Sequence, residues 1–267
     1  MQDTDIVKLI DTTKCTACRG CQLACKQWNA LKASQTENRG TYQNPPALNP
    51  NTFMLIHFQD YVDKQGNVKW LFRKEACMHC TDAACVKVCP SGALFYTEFG
   101  TVGLKEHLCI GCKNCVAACP FEVPRYDGEK DRVTKCDLCL TRLQAGRQPS
   151  CVLSCPTGAL TIGRKDMMLK AAAKRVQQLG GDANVYGDQF VGGTHVLYIL
   201  SEKPEVYDAL PKSPSVPLSI LVWKDFFKPL SLLAAGGILA GSFLHYLIKG
   251  PKLPYDDAEA GKKEGGE

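Results

Sequence analysis

Sixteen cysteines stand out among the reactive side chains of this chain, and all of them lie within its first 155 residues. They fall into four groups of four, with none left over: Cys15, Cys18, Cys21 and Cys25; Cys77, Cys80, Cys85 and Cys89; Cys109, Cys112, Cys115 and Cys119; and Cys136, Cys139, Cys151 and Cys155. Thiolate sulfur is a ligand of zinc and of iron, and short spacings bring several thiolates to one tight turn. The pattern therefore predicts metal centres.

The spacing within the third group indicates which kind of centre. Its cysteines are separated by two, two and three residues and are followed by Pro120, as in bacterial ferredoxins with two clusters. In those proteins the last cysteine of each motif binds the neighbouring cluster, so the motifs act in pairs. The second group has a longer central gap, the fourth has eleven residues between its two pairs, and the first lacks the trailing proline. The spacing predicts four [4Fe-4S] clusters in exchanged pairs.

Three other uses of the cysteines fit this spacing less well. A disulfide framework is common in small exported proteins, but tight spacing repeated four times, with proline after three of the last cysteines, disfavours it. Zinc binds two Cys-x-x-Cys pairs and does not need the trailing cysteines. Radical chemistry with S-adenosylmethionine leaves one iron without a cysteine, whereas sixteen thiolates complete four clusters.

The composition fits a loop-rich fold held partly by metal ligation. The chain has 267 residues, with 23 glycines, 15 prolines and a net charge of +5 that is spread along it. No run of Lys and Arg with interleaved aromatic residues predicts nucleic-acid binding, and residues Met1 to Leu9 do not read as a secretory signal peptide. No phosphate-binding loop and no acid, base or nucleophile set is visible, so no catalytic residue is predicted. Outer-sphere electron transfer is the chemistry that remains.

Periodicity and turn residues predict the elements around the cysteines. The apolar run from Ile6 to Ile10 predicts a strand that enters the first group. The segments Thr52 to Phe58 and Val68 to Phe72 predict a hairpin, and the polar stretch from Lys26 to Asn51 predicts an irregular surface excursion. The phrase Cys-Pro-x-Gly-Ala-Leu occurs at 89–94 and again at 155–160, which indicates one supersecondary unit used more than once.

A helix and a strand are predicted after the fourth group. Asp166 is the predicted N-cap of an amphipathic helix that runs to Leu179 and ends at Gly180. A strand is predicted from His195 to Leu200, with His195 in a structural role rather than a catalytic one. Four prolines between positions 204 and 217 predict a linker over residues 206–228.

The stretch from Pro229 to Ile248 contains no charged side chain and would be about 30 Å long as a helix, which matches the hydrocarbon core of a bilayer. It predicts a transmembrane helix, with a buried helix of a soluble protein as the alternative. His245 is expected to make a contact between helices rather than to bind a cofactor. The segment 249–267 is predicted to be disordered. The flanking residues that suit membrane interfaces are Trp223, Lys224, Tyr246 and Lys249.

Three short phrases add to the cysteine pattern: Cys77-Met78-His79-Cys80, Arg132-Val133-Thr134-Lys135-Cys136-Asp137-Leu138-Cys139 and Gly192-Gly193-Thr194-His195-Val196. Together with the order of the four groups and the single C-terminal helix, they resemble the iron–sulfur β subunit of membrane-bound, quinone-linked formate dehydrogenase. The resemblance covers almost the whole chain. The cysteine groups alone are similar to electron-transfer subunits of membrane-bound hydrogenases and other molybdopterin oxidoreductases, which are the alternative. Related nitrate reductase subunits carry tryptophan where this chain has Cys112, which argues against that branch.

The resemblance implies an α+β fold with two nested ferredoxin-like units, each holding two [4Fe-4S] clusters, and one C-terminal transmembrane helix over 229–248. The outer unit would comprise residues 1–75 and 132–205, and the inner unit residues 76–131. The implied ligand sets are Cys15, Cys18, Cys21 and Cys155 for cluster A; Cys25, Cys136, Cys139 and Cys151 for cluster B; Cys77, Cys80, Cys85 and Cys119 for cluster C; and Cys89, Cys109, Cys112 and Cys115 for cluster D.

The resemblance also implies partners and a location. A catalytic α subunit with a molybdenum or tungsten bis-pterin would oxidise formate to carbon dioxide, and a membrane cytochrome b γ subunit would pass the electrons to quinone. The iron–sulfur domains would lie on the periplasmic side of the cytoplasmic membrane, exported with the twin-arginine signal of the catalytic partner. Four basic residues either offset cluster charge and raise reduction potentials or form solvated faces, and both interpretations stay open: Lys14, Lys113, Arg125 and Lys135.

Overall fold

A computed structural model describes residues 5–63, 65–222 and 226–250 of the chain. The chain forms two compact units, residues 1–220 and residues 221–267, and each is described by itself. The strands are β1 (Ile6–Asp11), β2 (Leu55–Val62), β3 (Val68–Glu75), β4 (Leu94–Tyr96), β5 (Val102–Leu104), β6 (Arg125–Asp127), β7 (Arg132–Thr134), β8 (Leu160–Arg164), β9 (Asn184–Tyr186) and β10 (Val196–Leu200). The helices are α1 (Gly20–Trp28), α2 (Ala84–Lys87), α3 (Asn114–Ala118), α4 (Leu140–Gln144), α5 (Ser150–Leu153), α6 (Lys165–Leu179), α7 (Leu218–Val222) and α8 (Lys228–Lys249).

The first unit contains a four-stranded sheet with the order β8-β1-β10-β9. The predicted strand at Ile6 to Ile10 is confirmed as β1, which pairs parallel to β10 and antiparallel to β8. Successive side chains of β1 point to opposite faces of the sheet. Val7 and Leu9 pack against Ala172 of α6, whereas Ile10 faces a core that contains many of the cysteines. The sheet therefore places the entry to the first cysteine group beside the strand that follows the fourth.

Three antiparallel hairpins carry the loops between the cysteine groups: β2–β3, β4–β5 and β6–β7. The predicted hairpin is confirmed, although its first strand begins at Leu55 rather than at Thr52, which makes an isolated bridge to Asn49. Asp63 forms the turn, since its Oδ1 accepts hydrogen bonds from the backbone N–H groups of Gln65 and Asn67.

The predicted helix after the fourth group is confirmed as α6, and it ends at Gly180, whose φ is 64°. The prediction that Asp166 caps this helix is wrong. Strand β8 runs directly into the helix, so Arg164 occupies the N-cap and Asp166 lies within the first turn. Asp166 Oδ1 instead accepts a hydrogen bond from Arg164 Nε at 3.2 Å, where a carboxylate also complements the positive end of the helix dipole.

The polar stretch predicted to be irregular from Lys26 to Asn51 is irregular from Asn29 onward, whereas its first three residues, Lys26 to Trp28, belong to α1. The described structure has no helix or strand between Asn29 and Leu55, apart from one isolated bridge. Lys26 holds the two ends of this excursion together, because its Nζ donates hydrogen bonds to the backbone oxygens of Lys32 at 2.9 Å and Asn51 at 2.6 Å. The excursion thus remains anchored beside the first cysteine group.

The second unit contains α8, whose 21 residues Pro229–Lys249 are long and apolar enough to cross a membrane. The predicted helix over 229–248 is confirmed with one more residue at each end, and Gly250 ends it by donating its N–H to the oxygen of Tyr246 at 2.8 Å. The predicted α+β class with one C-terminal helix is likewise confirmed. The predicted linker contains α7. Trp223, Lys224 and the predicted tail beyond Gly250 lie outside the described residues.

Candidate metal centres

Short helices bring the four cysteine groups together in twos. Helix α1, which carries Cys21 and Cys25, contacts α5, which carries Cys151. Helix α2 carries Cys85 and contacts α3, which carries Cys115. The first group therefore lies against the fourth, and the second lies against the third. Sequence reasoning predicted ligand loops here and did not predict these helices.

Two cavities are lined by four cysteines each. One is lined by three cysteines of the first group, Cys15, Cys18 and Cys21, together with Cys155. The other is lined by Cys109, Cys112 and Cys115 of the third group together with Cys89. Each cavity takes three sulfurs from one tight motif and a fourth from the end of another motif. This arrangement has the form of ligand exchange between paired motifs.

The remaining eight cysteines are grouped by their mutual electrostatic effects. The pKa of Cys25 is raised, first by burial and then by the nearby thiolates of Cys136, Cys151 and Cys139. The pKa of Cys80 in the second group is raised in the same way, first by burial and then by the nearby thiolates of Cys77, Cys119 and Cys85. Cys25 therefore lies near Cys136, Cys139 and Cys151, and Cys80 lies near Cys77, Cys85 and Cys119.

The same backbone turn recurs in all four groups. The residue before the second cysteine of each group has a positive φ, near 50–70°: Ala17 (52°), His79 (49°), Gly111 (68°) and Leu138 (60°). A left-handed conformation costs a non-glycine residue about 1–2 kcal/mol, so three of the four turns are strained. Because their residue types differ, the sequence carries no signal for this turn. The four cysteine groups therefore share one backbone turn despite the strain at three of them.

The repeated phrase Cys-Pro-x-Gly-Ala-Leu surrounds a sulfur with hydrogen-bond donors. Burial raises the pKa of Cys89, but hydrogen bonds from the backbone of Leu94, from Ser91 and from the backbone of Ala93 outweigh it, so the pKa is lowered. Cys155 has the same set of donors from the equivalent positions, and its pKa is also lowered despite burial. The hydroxyls of Ser91 and Thr157 each lie 3.7 Å from the sulfur. The repeat therefore favours a thiolate, which is the form that binds metal.

Four cysteines around one cavity are the donor set that a [4Fe-4S] cluster requires. Burial is the largest influence on the buried thiols and raises the pKa of Cys21 and of Cys139 to about 11. Crowded thiolates need compensating positive charge, and the irons of a cluster supply it.

The four basic residues named from the sequence lie in different environments. Lys14 is half-exposed and 3.9 Å from Asp11, while Lys113 stacks 3.9 Å above the ring of Tyr126. Lys135 is buried and donates hydrogen bonds to the oxygens of Val102 and Cys136. The Nε of Arg125 is buried without a hydrogen-bond partner in the described part of the chain.

Sequence reasoning missed two lysines that the fold buries completely. Lys8 is 0% exposed and Lys74 is 2% exposed, and both lie among the cysteines. A signal was present for Lys8, because it shares a strand face with Ile10, which points into the cysteine core. His195 is buried as predicted for a structural residue, and its Nδ1 lies 2.9 Å from the backbone oxygen of His79.

Family models match three parts of the chain. Two models described as "4Fe-4S dicluster domain" match residues 14–93 and 68–165, and the model "Formate dehydrogenase N, transmembrane" matches residues 216–259. The two dicluster matches include all sixteen cysteines. Together with the donor sets described above, they assign four [4Fe-4S] clusters to the chain, and the C-terminal match identifies α8 as a membrane-spanning helix of a single-pass protein.

Curated relatives agree over most of the chain. The iron–sulfur subunit of formate dehydrogenase from Haemophilus influenzae is 40% identical over 94% of this chain and 83% of its own length. The nitrate-inducible formate dehydrogenase iron–sulfur subunit of Escherichia coli is 40% identical over 96% of this chain and 89% of its own length. The β subunit of formate dehydrogenase 2 (cytochrome c-553) from Nitratidesulfovibrio vulgaris is 41% identical over 74% of this chain and 94% of its own length. The chain thus belongs to the family of formate dehydrogenase iron–sulfur subunits.

Proposed function

We propose that this iron–sulfur electron-transfer subunit conducts electrons from a formate-oxidising catalytic subunit with a molybdenum or tungsten bis-pterin to a membrane cytochrome b subunit, which reduces quinone. The chain itself would catalyse no reaction. The observation that carries the proposal is the gathering of all sixteen cysteines into four sets of four neighbours, two of which line cavities. When bound, a [4Fe-4S] cluster accepts and releases single electrons.

The ligand sets follow the nested arrangement. We assign Cys15, Cys18, Cys21 and Cys155 to cluster A and Cys89, Cys109, Cys112 and Cys115 to cluster D, because each set lines one cavity. Cluster B takes Cys25, Cys136, Cys139 and Cys151, because the last three thiols act on Cys25. Cluster C takes Cys77, Cys80, Cys85 and Cys119, because the other three thiols of this set act on Cys80. The contacts of α1 with α5 and of α2 with α3 support an outer unit of residues 1–75 and 132–205 around an inner unit of residues 76–131.

Contacts between these sets support the linear order A, B, C, D. Cys21 of set A is close enough to Cys151 of set B for the second thiolate to raise the pKa of the first, after burial. Cys77 of set C acts in the same direction on Cys136 of set B. The thiolate of Cys115 of set D raises the pKa of Cys85 of set C, for which burial is again the largest cause of the increase. No such influence connects set A with set D among these values.

Exposure of the ligands distinguishes the two ends of this order from its middle. Cys18 of set A and Cys112 of set D are exposed, whereas each cysteine of sets B and C is buried or half-buried. Electron transfer to another subunit requires a short distance to that subunit's own centre. The chain would therefore exchange electrons through its A and D ends, while the protein around B and C excludes water from the middle of the path.

A pair of substitutions tests the ligand exchange. Cys151 and Cys155 lie four residues apart in one motif, but the proposal places them on different clusters. Cys155→Ser is expected to change the same electron paramagnetic resonance signal as Cys15→Ser, and Cys151→Ser the same signal as Cys25→Ser. The measurement is made on the purified complex after reduction by formate. If Cys151→Ser and Cys155→Ser alter one common signal, the exchange is wrong.

The electron route and its location are tested in the membrane. In the intact complex formate should reduce all four cluster signals, and a quinone analogue should reoxidise them. Removal of the catalytic subunit should abolish reduction by formate but not by dithionite. Protease added to spheroplasts should degrade the iron–sulfur part if it lies on the periplasmic side. Resistance of this part in spheroplasts, followed by degradation in inverted vesicles, would place it in the cytoplasm instead.

A further inference from the structure

Two fully buried lysines, Lys8 and Lys74, lie among the cysteine sulfurs without a carboxylate partner. No Asp or Glu oxygen of the described ranges forms an ion pair with either ammonium group. Burying a charged lysine without a partner is strongly unfavourable, so a buried lysine either has negative charge nearby or loses its proton. In the described part of the chain, the thiolates of Cys136 and Cys151 act on both lysines.

Lys74 lies between the first and the fourth cysteine group. Its Nζ is 3.6 Å from the sulfur of Cys151, which is within hydrogen-bonding distance for sulfur. Its positive charge also acts on Cys21 and on Cys136. The backbone of Lys74 is fixed because its carbonyl oxygen accepts a hydrogen bond of 2.6 Å from the hydroxyl of Tyr198. The position of this ammonium group is therefore set by the central sheet.

The second buried lysine, Lys8, lies on strand β1. It occupies the middle of the four-stranded sheet, where it is paired with Val196 on one side and with Ile162 on the other. Its Nζ has no hydrogen-bond partner in the described part of the chain. Its charge acts on Cys151 and Cys136, and it also lowers the pKa of Cys77 against a larger effect of burial. Burial, and after it the charge of Lys74, lowers the pKa of Lys8, whereas the pKa of Lys74 is raised, so Lys74 carries the positive charge of the pair.

We propose that Lys74 is a positioning residue that raises the reduction potential of the cluster bound through Cys151. Reduction adds one negative charge to a cluster that is already anionic. A buried ammonium group next to a ligand sulfur stabilises the added charge, since neither water nor salt screens it. A hydrogen bond to a ligand sulfur acts in the same direction. The inference rests on the proposed function, because it requires a cluster at Cys151.

The test is a redox titration of the intact complex that carries Lys74→Met, followed by electron paramagnetic resonance. Methionine has a similar length and no charge. We expect the equilibrium constant for one-electron reduction of one cluster to fall at least tenfold. A tenfold fall corresponds to a reduction potential that is lower by 59 mV. The affected signal should be the one that Cys151→Ser alters. Iron and sulfide content should equal that of the wild type, which separates a change in potential from a loss of the cluster.

Lys14→Met is the matched control, because Lys14 precedes the ligand Cys15 but is half-exposed and paired with Asp11. Its substitution should change every cluster equilibrium less than twofold. Lys74→Arg, which restores the positive charge, should recover most of the lost potential. If Lys74→Met does not assemble, Lys74→Gln takes its place, and the same signal should move in the same direction.

The proposal is overturned if the signal marked by Cys151→Ser keeps its potential when Lys74 loses its charge, if all four signals shift equally, or if Lys14→Met has the same effect. Failure of the ligand assignment would look different. In that case Cys151→Ser and Cys155→Ser would mark one common signal, whereas the response of that signal to Lys74→Met would still decide the role of the lysine.

Discussion

Arg175 donates a hydrogen bond from its Nε to Oδ2 of Asp11 at 2.9 Å, which ties α6 to the turn that enters the first cysteine group. Asp11 is buried, and its Oδ1 accepts a second hydrogen bond from the backbone N–H of Thr13 at 3.0 Å. The carboxylate thus organises the backbone two residues before Cys15. A helix that carries no cysteine thereby positions the first ligand of the chain.

Arg175→Ala should destabilise this junction. Removal of the guanidinium leaves the buried carboxylate of Asp11 without its closest charged partner, which costs about 1–3 kcal/mol. We expect a lower thermal transition of the complex in anaerobic calorimetry and an earlier loss of the signal that Cys15→Ser alters. Lys14→Ala is the control, because the Lys14 pair with Asp11 is longer and solvated and should contribute about 0–1 kcal/mol. Equal effects of the two substitutions would refute the role of Arg175.

Gly111→Ala should disrupt the third group, whereas Gly158→Ala should be tolerated. Both glycines have a positive φ, 68° and 64°, so alanine adds a similar conformational strain of about 1 kcal/mol at either site. At Gly111 a Cβ would also meet the backbone oxygen of Asp131 at 2.8 Å, while at Gly158 nothing lies within 4 Å. Ala17 occupies the equivalent turn of the first group, which shows that the strain alone is compatible with the fold.

Iron content per chain measures this difference. Gly111→Ala should lose the iron of one cluster, and Gly158→Ala should retain the iron of all four. Loss of iron in Gly158→Ala, or a full iron content in Gly111→Ala, would show that a clash with Asp131 does not decide whether the third group binds its cluster.

Regular elements and cysteine groups could be predicted from the sequence because each has a local pattern. The strand at Ile6, the hairpin, the end of α6 at Gly180 and the apolar helix follow from periodicity and turn residues. The cap at Asp166 could not be predicted correctly, since it depends on β8 running into α6 without an intervening turn. Strand and helix share a junction there that propensity alone does not describe.

The environment of the cysteines could be predicted only in part. Their number and spacing specify the cofactor, whereas the buried positions of Lys8 and Lys74 arise from long-range pairing of β1 and packing of β3. A lysine is normally solvated, so its type points away from the core. The positive φ values of Ala17, His79 and Leu138 are equally hidden, because tertiary contacts and not residue type impose them.

Acidification should destabilise the first unit through His195. Burial lowers the pKa of His195, although its hydrogen bond with the backbone of His79 opposes this, and Lys165 and Asp5 act in opposite directions. Because its folded pKa lies below the usual value of 6.5, the unfolded chain binds an additional proton as the pH falls below about 6.5. Stability is therefore lost on acidification, by at most about 1.4 kcal/mol per pH unit for one proton.

His195→Gln tests this contribution. The substitution removes the titrating group, so the thermal transition should depend less steeply on pH between about 6.5 and 5.5. His79, whose pKa burial lowers further, should retain a part of the dependence. Lys165→Met is the control: it removes a nearby positive charge and should leave a pH dependence of the same sign. An unchanged slope in His195→Gln would assign the pH dependence to other groups.

A charge at the centre of α8 should release the chain from the bilayer. Leu239 lies near the middle of Pro229–Lys249 and is exposed along the helix, so lysine at this position would have to enter the hydrocarbon core. The cost is about 2.5–3.5 kcal/mol at the bilayer centre.

Leu230→Lys is the matched control, because a lysine near the helix end can extend its ammonium group to the interface at little cost. Carbonate extraction should therefore move the Leu239→Lys chain, expressed without its membrane partner, into the soluble fraction and leave the Leu230→Lys chain in the membrane. Retention of both chains would mean that contacts other than the apolar helix hold this subunit at the membrane.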